Sequence, residues 1–102
     1  MPTFENSNFL DTIERVKRIT ESIEWIVNQL ITFEKKYKIR TIEFIIKWRS
    51  GNIPKPEDEN TLREMLSWNG LYDLLERKLR ELKEVVGNLK SVSYTHLTLP
   101  TN

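Results

Sequence analysis

Cysteine is absent from the 102-residue chain, histidine occurs once and glycine only three times. Without thiols there is no disulfide scaffold, no thiolate zinc site and no cysteine nucleophile. His96 is the one imidazole, so any hydrolytic triad or histidine-bearing metal site rests on whether that residue is native. Gly51, Gly70 and Gly87 are isolated from one another, so no glycine-rich loop exists to cradle a phosphate. Long apolar runs are also missing, and Glu5 interrupts the N-terminus early. That pattern predicts neither a membrane span nor a secretory signal, and hence a cytoplasmic protein. Charge of one sign is not in excess: 16 Lys+Arg against 15 Asp+Glu give +1 at pH 7. The balance by itself neither requires nor forbids a polyanionic partner.

What is present is 30% charged and 38% hydrophobic residues, the mixture of charge-laced helices around an apolar seam. The length allows one small domain, expected over residues 1–90. Residues 91–102 are expected to be foreign. The run Val92-Ser-Tyr-Thr-His-Leu-Thr-Leu-Pro-Thr101 is what one reading frame of a transposase sequencing adapter translates to, which would make this a gene fragment from shotgun or metagenomic DNA. On that reading His96 is not native, the natural C-terminus lies beyond Lys90, and the tail is a loose extended or coil segment.

Apolar residues at Val16, Ile19, Ile23, Ile26, Leu30, Phe33 and Tyr37 step alternately by three and four. This heptad seam predicts a helix over about 9–37, capped by Asn6, Ser7 or Asn8 after an unstructured lead. Thr41 is the expected N-cap of a short helix over about 42–50, with Gly51 at the left-handed position beyond its end. Apolar residues crowd more than one face of that helix, so it is expected to be largely covered. Pro54 and Pro56 mark the following stretch as a loop. A third helix over about 61–86 is expected to open on a Thr61–Glu64 capping box and to close at Gly87-Asn88. Its seam is Met65, Trp68, Tyr72, Leu75, Leu79, Leu82 and Val86. The predicted fold is all-α, a long antiparallel helical hairpin with a short connecting helix.

With His96 set aside, no general base of the imidazole type remains, and no cofactor or metal is expected. The acidic run Glu57-Asp58-Glu59 reads as dipole compensation ahead of a helix rather than as a cation site. Lys35, Lys36, Lys38, Arg40, Lys47 and Arg49 form a basic stretch with only Glu43 as counterweight, a candidate for phosphate contacts. Basic residues also suit the C-terminal dipole of the first helix, and the loop before the third is too long for a helix-turn-helix, so nucleic acid is not the favoured partner. Trp25, Ile31, Leu66 and Leu74 lie off the seams and are the candidate partner-binding residues.

Phe33-Glu-Lys-Lys-Tyr37, then Thr41-Ile-Glu-Phe44, Gly51, a proline-and-acid loop and Trp68-x-x-Leu71-Tyr72 form an ordered series. The pattern, within residues 28–86, resembles small helical antitoxins of bacteria and archaea that are encoded beside a toxin, and the resemblance covers most of the natural chain. In that group the usual form is FEKKYGMSxEEF followed by a turn and EWxxLY. Here Lys38 stands in place of the glycine and Ile39 in place of the methionine, and the turn after Gly51 is longer and proline-bearing. The resemblance implies a non-enzymatic protein–protein interaction module that neutralises a toxin by covering it. The residues alone leave open a self-associating coiled coil or four-helix bundle, and nucleic-acid binding through the basic stretch.

Overall fold

The computed structural model describes residues 2–101, and the side chains of residues 9–89. Three helices follow one another: α1, Pro2–Tyr37; α2, Thr41–Arg49; and α3, Glu59–Thr101. The expected all-α hairpin with a short intervening helix is what forms. Its long helices exceed their expected bounds. α1 begins at Pro2, where proline's fixed φ suits a first helical residue. Asn6, Ser7 and Asn8 therefore lie inside the helix instead of capping it. α3 passes through Gly87 and Asn88 without the left-handed glycine that would stop it, since Gly51 is the one glycine with positive φ among the described residues. Helix, rather than an extended or coil segment, continues to Thr101. The side chain of His96 is outside the described residues.

The chain divides into two compact units. One comprises residues 1–23 and 78–102, the N-terminal part of α1 and the C-terminal part of α3. Within it Ile19 and Val85 are buried, and Arg15 approaches Glu81 at 3.9 Å. Leu79, expected on the seam, is 48% exposed, whereas Val85, expected beside it, is buried. Val86, the expected seam residue, is half-buried next to it, so the covered side of this stretch takes in both valines.

The second unit, residues 24–77, holds the end of α1, all of α2, the loop and the start of α3. Its centre is Trp68, fully buried. Phe44 of α2 stacks on the indole with ring centroids 4.0 Å apart, and Phe33 and Tyr37 of α1 stack at 5.5 and 5.7 Å. Ile26, Leu30 and Ile45 complete the buried cluster. An indole N–H must find an acceptor when buried. Trp68 Nε1 donates to the hydroxyl of Thr41, itself buried, at 3.1 Å.

That bond explains why Thr41 is not a cap. Arg40 holds the N-cap position of α2 without a side-chain bond, and the Glu34 carboxylate accepts the Thr41 backbone N–H at 2.7 Å from α1. The capping box at α3 is also replaced. Helix begins at Glu59, and Asp58 accepts both the backbone N–H and the hydroxyl of Thr61, at 3.0 and 2.9 Å. The far end of α2 closes as expected. Gly51 adopts φ 76°, its N–H donates to the Trp48 carbonyl, and Asn52 N–H donates to that of Lys47. This is the Schellman arrangement. α1 ends with the corresponding single bond, Lys38 N–H to the Glu34 carbonyl, but with lysine at φ 55° where glycine would sit without strain.

Candidate interaction surface

Helical geometry sorts the candidate partner residues of the second unit. At 100° per residue, Trp25 and Ile31 stand about 120° to either side of the α1 seam, so they belong to opposite flanks. Trp25 is 56% exposed, and Ile31 is exposed as well. Leu66 is exposed on α3, on the side away from Trp68. Leu74 differs from them in being half-buried and packed against the Trp68 cluster. The four residues therefore do not form one patch.

α2 is the element whose exposure departs most from expectation. Thr41, Phe44, Ile45 and Trp48 face the core, whereas Ile42 and Ile46 are 54% and 63% exposed. The two isoleucines are one turn apart and lie about 130° from the buried face. A helical projection of residues 41–49 would have separated the two faces; the sheer density of apolar residues concealed the distinction.

The basic stretch is divided by its contacts. Lys36 Nζ donates to Glu64 Oε2 at 2.8 Å, and Tyr37 donates its hydroxyl proton to the other oxygen at 2.6 Å. The Lys36 hydrogen bond, then that of Tyr37, holds the Glu64 carboxyl below the usual range, and the same carboxylate raises the Lys36 ammonium. Burial, then the bond to Glu64, raises the Tyr37 phenol. Arg49 is engaged by Asp73, with Glu76 at 3.9 Å and the Asn69 carbonyl at 3.3 Å, and its guanidinium lies 5.6 Å from the Tyr72 ring centre. Lys35, Lys38, Arg40 and Lys47 are exposed and in no ion pair among the described residues.

No cluster of three or more acidic, histidine or cysteine side chains suited to a metal ion occurs among the described residues. No helix among them is long and apolar enough to cross a membrane. The described residues thus define a small helical protein with large apolar side chains exposed on all three helices. Compared with family models, curated proteins and solved structures, the chain has no match.

Proposed function

We propose that the protein is a cytoplasmic interaction module that acts by binding rather than by catalysis, as the antitoxin of a toxin–antitoxin pair. The observation that carries the reading is the exposure of large apolar side chains, Trp25 above all, on helices whose opposite faces already fill a core. Covering those side chains with a partner removes apolar area from water, and a toxin covered in this way loses access to its target. The residue series from Phe33 to Tyr72 supports the antitoxin assignment through its resemblance to that group.

Co-expression with the product of the neighbouring gene tests the reading. A stable complex on co-purification, together with rescue of growth, is the expected result. Separate elution and unrelieved growth arrest would remove the toxin as partner.

Self-association is a second reading, supported by the exposure of Phe9, Leu10 and Ile13 along α1 and of Leu79 on α3. Light scattering distinguishes the two, since a homodimer would have twice the 12.2 kDa mass before any partner is added. Phosphate binding has less support, because Lys36 and Arg49 are already held by carboxylates.

A further inference from the structure

We draw no further inference here: the strongest candidate, the exposed pair Ile42 and Ile46 on the outward face of α2, is an apolar patch with nothing in the structure to show what covers it.

Discussion

Thr41 has two tasks that its place after a turn conceals. Its backbone N–H is met by Glu34, and its hydroxyl satisfies the buried indole of Trp68. Thr41→Val keeps the shape and removes the acceptor, leaving a buried donor unpaired. The expected loss is about 1–3 kcal/mol, read as a lower urea midpoint, with Thr41→Ser costing less. Lys38 offers the opposite case. A non-glycine residue at φ 55° is strained by about 1–2 kcal/mol, so Lys38→Gly should gain up to about 1 kcal/mol after the added freedom of the unfolded chain is counted. A lower urea midpoint would show that the lysine side chain contributes more than its backbone costs.

Glu64 links stability to pH. Its folded pKa is depressed, first by Lys36 and then by Tyr37, so its contribution is complete above the unfolded carboxylate value of about 4. It is lost as pH falls through the lower folded value. Lys36, raised by the same contact, contributes below its unfolded value and loses that contribution as pH rises through the folded one. Urea midpoints measured from neutral pH downward should fall less steeply for Glu64→Gln than for the parent. Parallel slopes would show that the contact carries no pH-dependent stability.

Among the elements, α2 holds the unit of residues 24–77 together and was the least legible in the sequence. The long helices announce themselves through repeated steps of three and four, a signal that accumulates over many turns. Nine residues give no such accumulation, and with apolar side chains on both faces Ile42 and Ile46 looked no different from Phe44 and Ile45. Helix ends were hidden for another reason. The expected local caps at Thr41 and Thr61 were overridden by Glu34 and Asp58, and Glu64 was drawn away to Lys36 and Tyr37. The Glu34 cap and the capture of Glu64 join different helices and depend on where side chains meet in space, whereas Asp58 caps from three residues before Thr61 and was a local signal within the acidic run. Gly51 was readable because a left-handed residue after a short helix leaves few alternatives. Gly51→Ala should destabilise by about 1 kcal/mol or more, since φ 76° is costly for any Cβ, whereas nothing stands near enough to be struck. Thermal denaturation followed at 222 nm measures the effect.

For the molecule as a whole, burial is uneven along each long helix. Among the described side chains, the unit of residues 24–77 gathers Ile26, Leu30, Phe44, Ile45 and Trp68, whereas the other unit buries Ile19 and Val85. Local opening follows the density of apolar packing. Amide hydrogen exchange should therefore be slower over residues 24–37 of α1 than over residues 9–23 of the same helix. Uniform protection along α1 would mean that the two units open together. The exposure pattern was partly legible at this scale: Trp25, Ile31 and Leu66 are exposed, Leu74 is half-buried, and the exposed isoleucines of α2 were not anticipated.

The tryptophans occupy three depths: Trp68 is sealed, Trp48 half-covered and Trp25 open to water. Their fluorescence therefore separates events that would otherwise be confused. Acrylamide should quench Trp25 first and Trp68 last, and a ligand that shields Trp25 shifts emission to the blue while the innermost indole still reports an intact centre.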